Sequence, residues 1–176
     1  MITYGRVHSK KELHQILALQ RKNLPMAISQ LEREREGFVT VVHTFEMLEK
    51  MNDACPHLIA KSQGQVVGYA LCMHPKFAED IEVLRPMFKE INALFPKVVD
   101  YMAMGQICIE KKYRKKGIFR MLYRTMLDVL RPEYSTIITE VDSTNERSLQ
   151  AHYAIGFKNL NVYRSGNREW QIVELS

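Results

Sequence analysis

The sequence predicts a mixed α/β fold, a mixed sheet with helices on both faces. Three observations carry that expectation. Strand-like and helix-like periods alternate along the second half of the chain. Two turn signals, Ser62-Gln63-Gly64 and Ser165-Gly166-Asn167, each divide a pair of apolar runs and read as hairpins. Tyr101–Glu110 is almost wholly apolar, as a strand covered on both faces must be.

The elements follow in order. Ser9-Lys10-Lys11-Glu12 has capping-box spacing, and Leu13, Ile16 and Leu17 continue at helical intervals to about Leu24. Thr44 caps a second helix carrying Phe45, Leu48 and Met51, which Asp53 and Pro56 stop. His57–Lys61 and Gln65–Met73 form the first hairpin. Glu79–Phe95 is helical, with Pro86 either breaking it or starting a second piece at its first turn. After the Tyr101–Glu110 strand, Gly117–Leu130 sets Ile118, Leu122, Met126 and Val129 in one stripe, opposite Arg120, Arg124 and Asp128. Arg131-Pro132 ends that helix. Thr136–Val141 is a β-branched strand, and Asn145–Ile155 a helix with Gly156 as its left-handed C-terminal residue. Asn161–Arg164 and Trp170–Glu174 make the closing hairpin.

A chain of 176 residues without repeat or linker is expected to form a single domain over 1–176, with a helical insertion at about 75–97. No run reaches the roughly 18 apolar residues of a membrane span, so no membrane partner is expected. The opening MITYGRVHSKKEL lacks the apolar core of a secretion signal, and the expected compartment is cytoplasmic. Cys55, Cys72 and Cys108 are far apart and form no CxxC pair, so neither a metal nor a disulfide framework is expected. Net charge is +5, and five positive charges fall between Lys111 and Lys116. A small, local excess points to one anionic ligand rather than to nucleic acid.

That basic stretch carries the chemistry. Arg114-Lys115-Lys116-Gly117-Ile118 lies between a buried strand and an amphipathic helix. A helix start offers unpaired N–H groups and about half a positive charge to phosphate oxygens. Gly117 lets the backbone approach the anion, and Arg114 and the lysines add charge. No GxxxxGK[ST] occurs, so this is not a nucleotide-triphosphate loop.

Gln106-Ile-Cys-Ile-Glu-Lys-Lys-Tyr-Arg-Lys-Lys-Gly-Ile resembles the cofactor motif of the GNAT superfamily of acyl-CoA-dependent N-acyltransferases, a strand followed by R/Q-x-x-G-x-G/A. Downstream, Asn145-Glu-Arg-Ser148 and His152 through Gly156-Phe157 resemble its second signature, N-x-x-(A/S), an aromatic and GF. The resemblance implies a GNAT-like single-domain fold: a mostly antiparallel sheet of about six to seven strands, splayed between the fourth and fifth. It also implies acetyl-CoA as cosubstrate. Backbone groups of the Ile107, Cys108 and Ile109 strand would pair with the pantetheine arm. The segment Arg114, Lys115, Lys116, Gly117, Ile118 and Phe119 would bind the pyrophosphate. Asn145, with Ser148 of the second signature, would meet the pantetheine at the splay. The sequence departs from the pattern twice. Phe119 replaces a small residue, and its ring must turn into the core or it would crowd the phosphates and weaken binding. His152 stands at the family's tyrosine position, with Tyr153 one residue later.

Helix geometry sets His152 near the middle of an arc of Leu149, Ser148, Ala151 and Ile155, and Tyr153 at its edge beside Glu146 and Gln150. His152 is either the acid that protonates a departing thiolate or a core histidine bonded to a backbone carbonyl. Tyr153 is the substitute acid, or an aromatic covering the helix edge. Glu140 and Glu110 lie at strand ends near the splay, where a glutamate is either a base or a surface or ion-paired residue; Glu140 is the candidate base, and Cys108 reads as core. The resemblance therefore implies acetyl transfer from acetyl-CoA to a primary amine, of a small molecule in preference to a protein; the alternative is a noncatalytic acyl-CoA-binding module. The Pro75–Lys97 insertion could wall the acceptor site, be a packing embellishment or make a homodimer contact; the first two helices could line the same pocket, with the Glu32–Glu36 charge run between them lining it too or forming a solvated helix face.

Overall fold

Ser9 and Glu12 trade hydrogen bonds with each other's backbone, N–H to Oγ at 3.3 Å and N–H to Oε2 at 3.2 Å, which completes the capping box and starts α1 (Lys10–Lys22). The computed structural model describes residues 1–24, 26–31, 39, 41–94 and 100–176. The Glu32–Glu36 run lies outside them, as do Phe95 and Lys97 at the end of the predicted insertion. Thr44 Oγ1 accepts from Met47 N at 3.2 Å and caps α2 (Phe45–Ala54). The insertion holds two short 3₁₀ turns and α3 (Arg85–Leu94), with Pro86 in its first turn, where its missing N–H costs nothing. Helices α4 (Ile118–Leu130) and α5 (Glu146–Tyr153) follow the basic loop and the fifth strand. Stripe residues Ile118, Leu122 and Met126 are buried in α4, but the stripe closes on Leu130 instead of Val129, which is half-buried.

Seven strands form one sheet in the order β1-β2-β3-β4-β5-β7-β6. They are β1 (Ile2–Arg6), β2 (Leu58–Ser62), β3 (Gln65–Met73), β4 (Tyr101–Ile109), β5 (Thr136–Asp142), β6 (Lys158–Ser165) and β7 (Arg168–Leu175). The β1 strand was not foreseen: Thr3 and Gly5 break its apolar run. Every neighbouring pair is antiparallel except β4–β5. Both hairpins turn on two residues. Gln63 and Gly64 have φ of 51° and 75°, the left-handed pair that a type I′ turn needs. Gly166, at φ 60°, sits first in the β6–β7 turn.

Two cores lie on opposite faces of this sheet. One packs Leu13, Ile16, Leu48, Met51, Phe88 and Ile91 of α1, α2 and α3 against Tyr69, Leu71, Ile138 and Ile172. The other packs Ile118, Leu122, Met126 and Leu149 of α4 and α5 against Leu58, Ala70, Met102 and Val173. Tyr101–Met104 is buried, as a strand between two helical layers should be, but from Gly105 to Ile109 half-buried and buried residues alternate. The change marks where β4 loses a neighbour.

Candidate active site

Strands β4 and β5 pair only at Tyr101↔Thr136, Met102↔Ile137 and Ala103↔Ile138, and then part. Thr139 Oγ1 donates to the Met104 carbonyl at 2.9 Å and closes the wedge. On the other side of β4, Glu110 N–H donates to the Val67 carbonyl at 2.8 Å. Backbone groups alternate along an antiparallel ladder, so Cys108 faces β3 while Ile107 and Ile109 face the gap. The gap is thus lined by strand amides and carbonyls that β5 does not pair, a template for an extended ligand.

The gap leads to the basic loop. Lys115 and Gly117 both occupy the left-handed region, at φ 60° and 77°. For Lys115 that costs roughly 1 kcal/mol, a strain that the surrounding structure must hold in place. The first hydrogen bond of α4 is Met121 N–H to the Gly117 carbonyl, at 3.1 Å. The amides of Ile118, Phe119 and Arg120 therefore have no partner within the helix, and a Cβ added at Gly117 would meet no atom within 4 Å. Charge, dipole and open space coincide here, as an anion cradle requires.

A groove of about 220 Å³ joins these features. Ile107, Cys108 and Ile109 line one side, and Arg114, Lys115, Gly117, Ile118 and Phe119 one end. Asn145 and Ser148 line the far side, where Asn145 caps α5 by accepting from Ser148 N–H at 3.2 Å. Of the residues expected to bind the cofactor, Lys116 alone does not line it; its ammonium sits 5.2 Å from the centre of the Tyr113 ring. Arg114 lines the groove, but its guanidinium also braces the loop, donating to the Ile109 carbonyl at 3.1 Å and to Asn23 Oδ1 at 2.5 Å. Asn23, just past the end of α1, and Val39 also line the groove, as do Arg147 and Ala151 of α5. Nothing in the local sequence of Asn23 or Val39 signals that role. The Phe119 ring is half-buried: it lines the groove and packs at an angle against Tyr123 and His152, at 5.2 and 5.0 Å between centres.

A second cavity of about 80 Å³ shares Val39, Ile107, Asn145 and Ser148 with the groove and continues past the splay. Glu140, Asp142, Thr139 and Trp170 line it, together with Gln106 and His152. Gln106 is fixed by three bonds: Nε2 to the Val41 carbonyl at 2.8 Å, and Oε1 accepting from Gln20 at 2.8 Å and Tyr69 at 2.6 Å. Burial pushes the Glu140 carboxyl up to about 7, and the Tyr163 hydroxyl bonded to Oε2 pulls it back in part. A carboxyl poised near neutrality and facing a cavity has the acidity of a general base.

His152 is 1 % exposed and gripped from all sides. Its Nδ1 lies 2.7 Å from the Ser148 carbonyl and must carry the proton; Nε2, 2.8 Å from the Tyr123 hydroxyl, then accepts. Phe119, Tyr123 and Phe157 set their rings edge-on around it. Burial lowers its pKa from the ordinary 6.5 to about 4, so the ring is neutral at pH 7. Tyr153 lines neither cavity; it is 41 % exposed and donates to Gln171 Oε1 at 2.6 Å. Burial pushes the Cys108 thiol up to about 12, in keeping with a core role. No cluster of three or more metal-binding side chains occurs among the described residues. None of their helices is long and apolar enough to cross a membrane.

These shifts make stability depend on pH. His43, His57 and His152 are all held at about 4 by burial against an ordinary 6.5, so the unfolded chain binds more protons between those values. Their contribution is complete above 6.5 and is lost as pH falls toward 4. Glu140, raised from 4.5 to about 7, acts oppositely and offsets one proton of the three. Two net protons give a slope of roughly 3 kcal/mol per pH unit near pH 5 to 6. Urea unfolding at pH 5, 6 and 7 checks this, and a flat profile would contradict neutral burial of the three rings.

Among curated proteins, none matches the chain by sequence. Solved structures match its fold along nearly the whole length. The ribosomal-protein-S18-alanine N-acetyltransferase from Escherichia coli has a TM-score of 0.67 at 14% identity, over 99% of this chain and 93% of that one. Arabidopsis thaliana Naa50, in complex with the bisubstrate analogue CoA-Ac-MVNAL, has a TM-score of 0.64 at 16% identity, over 99% and 98%. Salmonella typhimurium yncA, solved with its cofactor acetyl-CoA, has a TM-score of 0.65 at 15% identity, over 99% and 93%. At such identities the likeness establishes the fold: a seven-stranded, mostly antiparallel sheet opened between β4 and β5. The model of the acetyltransferase (GNAT) family matches residues 14–157, and the chain belongs to that family.

Proposed function

We propose that the protein moves an acetyl group from acetyl-CoA to the primary amine of a small molecule by direct attack. One observation carries the reading: the cradle amides and the open edge of β4 line one groove, and the cavity holding Glu140 adjoins it, sharing Val39, Ile107, Asn145 and Ser148. The pyrophosphate lies on the amides of Ile118–Arg120, and the pantetheine arm runs along Ile107 and Ile109. The acetyl group then reaches the junction at Asn145 and Ser148. Two of the similar structures contain acetyl-CoA or a CoA analogue, which supports the assignment.

The amine attacks in its neutral form, and Glu140 is the group we assign to take the proton that its nitrogen gives up as the N–C bond forms. A backbone N–H of Ile107 or Ile109 stabilises the oxyanion as the amine bonds to the thioester carbon. Collapse breaks the C–S bond and releases a thiolate. A thiol titrates near 8.5, about 1.5 units above Glu140, so the proton gained by Glu140 can pass downhill to it. Of the other two acid candidates, His152 borders the acceptor cavity and Tyr153 does not.

That both nitrogens of His152 are engaged favours the second reading, an acyl-CoA-binding module without turnover. Acetyl-CoA offered with alkylamines, diamines and short peptides bearing free α-amines separates the two. Release of free CoA with at least one amine, together with acetylated product by mass, is the expected result. Tight binding of acetyl-CoA without turnover of any amine would leave the module.

A further inference from the structure

Glu140 lies on β5 and Tyr163 on β6, and β7 runs between them. In the ladder, Ile172 of β7 pairs with both Glu140 and Asn161, and Trp170 pairs with both Asp142 and Tyr163. Paired residues share a face, so Glu140, Asn161 and Tyr163 all project to the side where α3 packs. Two strand spacings, about 10 Å, separate β5 from β6, a distance that a phenol and a carboxylate together can bridge diagonally. They do: the Tyr163 hydroxyl donates to Glu140 Oε2. Beside it, Asn161 Nδ2 donates to Glu90 Oε2 of α3 at 3.1 Å.

We propose that Tyr163 is the positioning residue for the base, its hydroxyl holding Oε2 of Glu140 so that Oε1 alone faces the acceptor amine. The proposal rests on the reading of Glu140 as general base. The phenol is suited to be a permanent donor. Burial first, then the charges of Glu140 and Glu90, push its ionisation far above the ordinary 10. Among the described residues, few titratable groups face the carboxylate. Tyr163 approaches from β6, with Glu90 of α3 behind it, and His152 of α5 borders the same cavity. On β5 itself, Asp142 is paired to Arg168 of β7 at 3.2 Å. Among these, the Tyr163 hydroxyl bonds directly to Glu140 and favours its ionised form.

Tyr163→Phe keeps the ring and its packing while removing the donor. Protein labelled with ¹³C at glutamate carboxyls shows one carboxyl titrating near 7, assigned by its absence in Glu140→Gln. In Tyr163→Phe that titration moves up by about one unit. With an amine from the panel, the acid limb of kcat/KM moves by the same amount. Turnover falls about tenfold at pH 6 and recovers to within about twofold above pH 9, while KM for acetyl-CoA stays unchanged. An unmoved Glu140 titration, or a loss of kcat equal at every pH, would overturn the positioning role while leaving Glu140 as base. Full turnover by Glu140→Gln would overturn both. If no amine in the panel reacts, the carboxyl titration decides alone.

Discussion

Glu140→Gln lowers turnover of the acceptor amine by about 10²–10⁴-fold, the usual contribution of a positioned general base. The substitution keeps the shape of the side chain and lets the Tyr163 hydroxyl still donate to the amide oxygen. What it removes is the site that takes the amine's proton. In the unaltered protein, kcat/KM falls as pH drops below about 7, because burial holds the Glu140 carboxyl at that value. The variant loses this limb and shows only the slow dependence set by the free amine. Loss of structure cannot mimic the result. A carboxyl raised from 4.5 to about 7 on folding favours the fold at low pH and gives that stability up as pH rises through 7. Glu140→Gln is therefore as stable as the parent, or more so, at pH 8. Equal turnover by the two proteins at pH 7 would remove Glu140 from the mechanism.

His152→Ala destabilises the fold by about 3 kcal/mol, more than any loss it causes in acetyl-CoA binding. The deleted ring leaves a cavity among Phe119, Tyr123 and Phe157. It also strands the Tyr123 hydroxyl, in a side chain only 1 % exposed, without its acceptor. For a domain of this size the melting temperature falls by roughly 10 °C. The double variant His152→Ala/Tyr123→Phe separates the two causes, since it removes the stranded hydroxyl and keeps the cavity. It recovers about 1–2 kcal/mol of the loss if the hydrogen bond contributes as described. A His152→Ala protein as stable as the parent but inactive would instead make the ring a catalytic acid.

Much of this was legible because it is local. Capping at Ser9 and Thr44, the Gln63-Gly64 turn and the stripe of α4 depend on residues within one or two turns of each other. The cofactor groove was legible for a related reason. Its strand, loop and helix start follow one another in the chain, and Asn145 announces the opposite wall through a second local signature. On the acceptor side the sequence pointed to Glu140 and His152 but not to what surrounds them. Glu140 and Tyr163 meet only because β7 inserts between β5 and β6, and no spacing in the sequence expresses that order. Asn23 reaches the groove from the end of α1, some ninety residues before Arg114, through a side-chain contact alone. The short β1 strand was missed because an edge strand of mixed polarity has no clear period.

The central claim is that the path from the α4 amides to the β4 edge is a seat for acetyl-CoA. Thermal unfolding with and without acetyl-CoA, on the parent protein and on Gly117→Val, tests it most directly. At 100 times its dissociation constant the ligand adds about 2.7 kcal/mol of apparent stability to the parent. In Gly117→Val the branched side chain is strained at φ 77° and crowds the anion cradle, so the same concentration gives a much smaller gain. An unfolding curve of the parent that does not move in millimolar acetyl-CoA would contradict the claim.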